Sequence, residues 1–232
     1  MKSHKQMKDM KQAKQTHLFP AFLKLGGRRC LVIGAGKIGE EKIGGLLQTG
    51  AKIEVVAPHA TEQVQAWARE RKIRWHTRAF RMSDLSGIFV IVAATSSPKL
   101  HARIYKEARR RGILCNVVDD PPHCDFYYGA VVRRGSLQIA ISTAGHSPSL
   151  AQRLKKEIDA QFGSAYETWI AELGRKRKKL FEKAMDAERR KEILHSLASQ
   201  PSWKEFLRRE NRKLQARKHN KNSRKARSTA LH

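Results

Sequence analysis

Three glycines, Gly34, Gly36 and Gly39, follow directly on the apolar run Cys30-Leu31-Val32-Ile33. That spacing carries phosphate chemistry when a strand precedes it and a helix follows. The first glycine then permits the tight turn, and the second lets backbone N–H groups approach a pyrophosphate. The third lets helix and strand pack closely. The helix start adds partial positive charge. Lys37 and Ile38 lie inside the loop and join the three glycines as expected dinucleotide contacts. A glycine-rich turn of purely structural purpose is the competing reading, and the flanking segments favour the phosphate one.

Two further sets of residues carry chemistry. In Asn116-Val-Val-Asp119-Asp120-Pro-Pro, Asp119 emerges from an apolar run where a central strand would end. A carboxylate on a buried strand end suits a general base, because desolvation favours its protonated form. The alternative is an ordinary turn in which Asp119 and Asp120 precede two prolines. In Ser142-Thr-Ala-Gly-His-Ser147-Pro148, hydroxyls and backbone N–H groups gather at a helix start and form an anion seat, or a simple helix cap. Asn116, Thr143, Gly145, His146 and Ser147 are therefore the expected substrate contacts. His123, Cys124 and His146 are of metal-ligating type but lack the spacing of a structural zinc site, so no metal site is assigned.

The elements that must position these residues alternate. Strands are expected at 30–34, 53–57, 73–75, 88–94 and 113–118, with helices at about 37–49, 61–71 and 98–111. This order predicts a parallel, doubly wound sheet of Rossmann type, which binds ligands beyond the carboxyl ends of its strands. Those ends add Ala57, Pro58, Ala94 and Thr95 to the expected cofactor contacts. Beyond residue 120 the pattern changes. A hairpin is expected across Arg134-Gly-Ser136, then a helix opening at Ser147-Pro148, then helix over 164–197 with Tyr166, Trp169, Ile170 and Leu173 on one face. The expected organisation is a basic N-terminal tail at 1–16, a dinucleotide-binding domain at 17–120, a β-rich segment at 121–146, a helical region at 147–200, and a basic tail at 201–232, disordered from 213.

The chain has 232 residues and a formal charge of +27. Residues 1–16 hold five Lys and one Asp, and 201–232 hold eleven Lys/Arg and two Glu, which leaves +14 on the body. A basic body suits a polyanionic ligand, nucleic acid or acidic membrane, or is simply a solvated face. The three cysteines form no CxxC, and Cys30 and Cys115 lie in strand-like apolar runs, a reduced, cytoplasmic pattern. The longest apolar run, Ile88–Ala94, is too short to span a bilayer, and no secretory signal is expected.

One departure stands out. A dinucleotide site usually has an acid about 20 residues after the glycines, at the end of the second strand, to bind ribose. Here that place reads Val55-Val-Ala-Pro-His59, with Glu54 inside the strand.

Taken in order, the segments resemble the precorrin-2 dehydrogenase family, the sirohaem synthase N-terminal module. The matching pieces are Phe19-Pro-Ala-Phe-Leu, Val32-Ile-Gly-Ala-Gly-Lys-Ile-Gly, Val55-Val-Ala-Pro and Ala93-Ala-Thr. Cys115-Asn-Val-Val-Asp-Asp, Cys124-Asp-Phe and Ile139-Ala-Ile-Ser-Thr-Ala-Gly-His-Ser-Pro complete the set. They span roughly 17–197, and an Ala-Pro turn without the ribose acid is normal for the family. The resemblance implies NAD as cofactor and oxidation of precorrin-2, a polycarboxylated tetrapyrrole, to sirohydrochlorin. It implies acid–base work by Asp119 and a homodimer built with the helical region at about 150–197. Some relatives also insert Fe²⁺ into the product. The stretch after residue 200 is too short for the methyltransferase module that some members carry. A nucleotide-sensing regulatory domain is the remote alternative. A nucleic-acid-binding role lacks a recognition motif, and neither specific nucleic-acid binding nor membrane attachment is expected.

Overall fold

The computed structural model describes residues 18–229, with side-chain surroundings to residue 216, so the expected tail at 1–16 lies outside the described residues. The chain divides into two compact units between Tyr128 and Gly129.

The first unit is a five-stranded parallel sheet. Its strands are β1 (Arg29–Ala35), β2 (Lys52–Ala60), β3 (Arg74–His76), β4 (Val90–Ala93) and β5 (Leu114–Val117), in the order β3-β2-β1-β4-β5. Helices α1 (Lys37–Leu47), α2 (Glu62–Arg69) and α3 (Pro98–Arg110) make the crossovers. Side chains alternate along each strand. Cys30, Val32, Val55 and Val92 face one layer with Ile43, Leu46 and Val64 from α1 and α2. Leu31, Ile33, Ile91 and Cys115 face the other with Leu85 and with Ile104 and Ala108 from α3. Both faces are therefore covered, as a parallel sheet requires. This is the doubly wound fold expected from the alternation.

The strand order reverses at β1, between β2 on one side and β4 on the other. Backbones run close there. Gly34 has φ +99°, and a Cβ on it would collide with the carbonyl of Ala94. A Cβ on Gly39 would strike the carbonyl of Gly34. Ala94 N–H donates to Ile33 O at 2.8 Å and closes the join between the strand ends.

Three expectations need correction in this unit. Strand β2 does not stop before Pro58. Its pairing with β1 jumps from Ile33↔Val56 to Ala35↔Ala60, so Pro58, which has no N–H to donate, sits in a bulge and the strand resumes to Ala60. β5, expected to be central, is an edge strand. The change of unit falls after Tyr128 rather than after 120. Asp125 N–H donates to Cys115 O at 2.7 Å, and Asn116 Nδ2 donates to Phe126 O at 2.8 Å, which keeps 124–126 on the sheet.

The second unit opens with an antiparallel hairpin, β6 (Ala130–Arg134) and β7 (Leu137–Ile141), whose two-residue turn uses Gly135 at φ +56°. Helix α4 (Pro148–Gln161) packs on it, and Arg134 pairs with Asp159 at 3.0 Å. The stretch expected as helix over 164–197 is two helices, α5 (Ala165–Phe181) and α6 (Ala187–Leu197), broken where Asp186 caps α6 by accepting from Arg189 N at 2.8 Å. The stretch expected as a tail is a helix, α7 (Gln200–Thr229). Trp203 stacks on Tyr166 at 4.2 Å between ring centroids, Phe206 is buried, and Arg209 pairs with Glu172. Past Pro201, through Thr229, the helix contains no glycine or proline, and its Lys, Arg, Leu and Ala are good helix formers. The lysine-rich composition masked that propensity. Residues 230–232 lie outside the described residues.

Burial raises the Cys30 thiol to about 11 and the Cys115 thiol to about 12, and it also raises Cys124. Native protein at pH 8 is expected to react slowly with a thiol reagent such as DTNB, and all three thiols to react at once in guanidinium. A fast native phase for Cys30 or Cys115 contradicts the packing. Gly39→Val is expected to cost about 2–4 kcal/mol, as overpacking against a fixed backbone carbonyl does, read from urea unfolding. Wild-type stability in that variant would show the contact to be loose.

Candidate functional site

The crevice beyond β1 and β4 gathers most of the expected cofactor residues. Gly36 is the N-cap of α1 and makes no side-chain cap bond, and Glu40 N–H returns to Gly36 O at 2.8 Å. The earlier N–H groups of that first turn have no partner within a helix. A Cβ on Gly36 would meet nothing within 4 Å. Open space over the orphan donors of a helix start fits a pyrophosphate. The three glycines thus divide as their spacing predicts, with Gly34 and Gly39 packing and Gly36 facing open space.

Ala94 and Thr95, at the end of β4, line a cleft of about 450 Å³ with Ile38, Val118, Asp119 and His101. Asp119 has φ +59°, a left-handed backbone that Asp tolerates better than most residues and that collects at functional sites. It is exposed, so the desolvation expected of a buried strand end is not supplied by this chain's own residues. Neighbouring Asp120 turns its carboxylate to His123 Nδ1 at 2.8 Å, and His123 stands edge-on to Tyr105.

Ala57 and Pro58 lie in the β2 bulge. Ala57 is buried, and its carbonyl accepts from Trp75 Nε1 at 3.0 Å. Because β2 continues past them, the first side chains beyond the strand are Thr61 and Glu62. Together with Lys37, Glu40 and Arg69 they line a second cavity of about 790 Å³. Thr61 Oγ1 caps α2 by accepting from Val64 N, while Glu62 supplies an acid at the strand end. Glu54, the acid inside the strand, is engaged by Arg29 at 2.8 Å and faces His76 at 3.5 Å. The sequence hid Glu62 because the bulge displaced the end of the strand.

Asn116 does not face the crevice. It is buried, and its amide donates to Phe126 O and to Cys124 Sγ. Its place is structural, holding the segment that follows Asp119. Cys124 is likewise committed, its thiol donating to Val117 O at 3.1 Å. No group of three metal-ligating side chains occurs among the described residues.

In the second unit, the loop 142–147 is built from its own hydroxyls. Ala144 N donates to Ser142 Oγ, Ser147 N to Thr143 Oγ1, and Leu150 N to Ser147 Oγ, at 3.1, 3.1 and 3.2 Å. Each oxygen accepts from backbone, which leaves each O–H proton to donate elsewhere. Ala144 and Gly145 have φ of +50° and +83°, and Gly145 and His146 are exposed.

A parallel sheet with this glycine loop at its switch point defines a dinucleotide-binding protein. Comparison with known proteins agrees. A model described as putative NAD(P)-binding matches residues 21–130, and one described as sirohaem biosynthesis protein central matches 134–161. A siroheme synthase of Nitrosococcus oceani is 35% identical over 147 residues, covering 63% of this chain and 31% of that protein. One from Neisseria meningitidis serogroup C, serotype 2a, is 39% identical over 142 residues, covering 61% and 29%. The chain thus spans about a third of the length of the curated relatives it matches. A solved structure described as SirC, precorrin-2 dehydrogenase, superposes with a TM-score of 0.68 at 28% identity, covering 83% of this chain and 98% of that one. The chain is thus similar to sirohaem-biosynthesis proteins in both units, and its first unit is an NAD(P)-binding domain.

Gly36→Val is expected to leave the melting temperature nearly unchanged and weaken NADH binding by about 10-fold or more, since it fills the phosphate seat without striking protein. Calorimetric titration checks this, and undiminished affinity would place the pyrophosphate elsewhere.

Proposed function

We propose that this protein oxidises precorrin-2 to sirohydrochlorin with NAD as the oxidant. The observation that carries the reading is Asp119, a left-handed carboxylate beside Ile38, Ala94 and Thr95 on the cleft of the dinucleotide fold. Similarity to siroheme synthases and to the precorrin-2 dehydrogenase structure supports the substrate, as does a basic body, which suits a polycarboxylate.

When bound, NAD⁺ supplies the hydride acceptor. Gly34 and Gly39 hold the strand–helix turn, and the first-turn N–H groups after Gly36 take the pyrophosphate. Ala94 and Thr95 line the cleft and would hold the nicotinamide end of the cofactor. The oxidation removes a hydride and a proton from the macrocycle, and Asp119 accepts the proton. Its exposure in the free chain leaves it open to substrate, and the macrocycle covering it provides the desolvation that strengthens a base. Thr143, Gly145, His146 and Ser147, with hydroxyl protons still to donate, take substrate carboxylates.

We further place the chain in the cytoplasm as a homodimer assembled through its second unit. No helix among the described residues is long and apolar enough to cross a membrane. Light scattering on the purified protein tests the dimer, and a monomer at micromolar concentration removes it.

Asp119→Ala is expected to reduce oxidation of precorrin-2 by about 100-fold or more, the scale of a lost general base, with NADH affinity within about threefold of wild type because the phosphate seat is untouched. An absorbance assay with precorrin-2 and NAD measures the first, and fluorescence titration the second. Lost NADH binding with normal turnover would reverse the role. Fe²⁺ added to sirohydrochlorin without NAD then reports whether the same protein also inserts metal.

A further inference from the structure

We propose that the amino-terminal edge of the parallel sheet carries a second anion site, which takes the diphosphate group of a small molecule. It lies at the opposite end of the strands from the glycine loop and is independent of the dehydrogenase reading above.

Strands β1, β2 and β3 each begin with a cation, Arg29, Lys52 and Arg74. The turn that leads into β3 adds Arg71 and Lys72. All five line one cavity of about 620 Å³, together with a single acid, Glu54. That acid is already used. It lies opposite Arg74 in the β2–β3 register, yet its carboxylate engages Arg29 at 2.8 Å and faces His76 at 3.5 Å. Lys72 pairs with Glu70 at 2.7 Å. Among the described residues, no carboxylate comes within ion-pair distance of Lys52, Arg71 or Arg74. Three unneutralised cations thus share one concave site.

Arg71 stands there at a cost in stability. It ends α2 in a left-handed turn, at φ +57°. Its N–H donates to Ala68 O at 3.0 Å and the Lys72 N–H to Trp67 O at 2.9 Å, the paired bonds of a helix stop in which glycine is the usual residue. Arginine lacks the short polar side chain that lets Asn or Asp tolerate that backbone. The same stop after α3 uses Gly112, at φ +66°, with Gly112 N–H on Arg109 O and Ile113 N–H on Ala108 O. One chain therefore builds this turn twice and departs from glycine only where the turn borders the basic cavity. Such a broken local rule is a mark of a functional position.

Charge and geometry choose the ligand. A phosphate group carries roughly −1.5 to −2 at neutral pH, so two joined phosphates come close to balancing three free cations, whereas one carboxylate does not. Guanidinium forks bind phosphate oxygens in pairs, and a lysine adds a point charge. The seven residues of β1 put about 20 Å between this edge and the glycine turn, so one diphosphate cannot reach both.

The test is calorimetric titration of pyrophosphate into protein saturated with NADH, which fills the phosphate seat after Gly36. One further site is expected, weakened about 10-fold or more by Arg71→Gly or Arg74→Gln, the scale of a lost charged hydrogen bond. Arg71→Lys, which keeps the charge without the fork, falls between. Arg71→Gly is also expected to hold or raise the melting temperature, because glycine suits the turn, and NADH affinity stays at the wild-type value in every variant. Absence of pyrophosphate binding to the NADH-saturated protein overturns the proposal. So does binding that Arg71→Gly and Arg74→Gln leave unchanged. ADP in place of pyrophosphate separates the two sources of a diphosphate: tighter binding that the same variants weaken assigns a nucleotide, and equal binding assigns the bare diphosphate. A single-stranded oligonucleotide that displaces pyrophosphate and binds more tightly through the same arginines assigns the edge to nucleic acid and overturns the small-molecule site.

Discussion

The close approach of the β1 turn to the backbone leaving β4 is the constraint on which the rest of the first unit depends. With φ +99° and the Ala94 carbonyl against its Cα, Gly34 admits no side chain. The helix that follows can then start at once, which puts Gly39 on the Gly34 carbonyl and leaves Gly36 over open space. The same contact sets the floor of the cleft, because Ala94 N–H bonds Ile33 O there. The open space at Gly36 and the cleft beside Ala94 are two sides of one backbone junction. Changing the junction moves both, which explains why three glycines serve where a side chain would give more stability per residue.

Much of this was legible in the sequence because the physics is local. Short, largely apolar runs between turn signals marked β1, β4 and β5, and the glycine spacing marked the turn into α1. Ser147-Pro148 announced α4, and the cap forms as the residue types require. The failures are tertiary. The bulge at Pro58 depends on how β2 pairs with β1, so strand length and the acid at its end, Glu62, escaped a reading that counted residues from the glycines. The edge position of β5 depends on sheet order, which no single strand encodes.

The C-terminal helix shows composition misleading in the other direction. A dense run of Lys and Arg resembles a segment that cannot bury enough apolar surface to fold. Yet Trp203 and Phe206, three residues apart, place two stacked aromatic rings on one face, and Trp203 meets Tyr166 and Trp169 of α5. Arg209 adds an ion pair to Glu172 one turn further on. A few anchoring residues at helical spacing outweigh average hydropathy, because helix formation is cooperative once a turn is fixed.

The Cys124-Asp-Phe motif finds its purpose at the exposed side of β5. An edge strand presents unpaired N–H and C=O groups that invite association with another chain. Here Cys115 N–H donates to Asp125 Oδ2 at 3.0 Å, and Cys115 O accepts from Asp125 N–H at 2.7 Å. Asn116 and the Cys124 thiol secure the next turn of chain on Phe126 and Val117. A side-chain carboxylate thus stands in for a missing sixth strand. The segment it holds returns the chain to β5 after the loop that carries Asp119 and Asp120, so both ends of that loop are fastened to the same strand. Asn116, expected as a substrate contact, and Cys124, of metal-ligating type, are instead committed to holding this segment. They keep the loop short and anchored enough for Asp119 to hold a backbone conformation it would not choose alone.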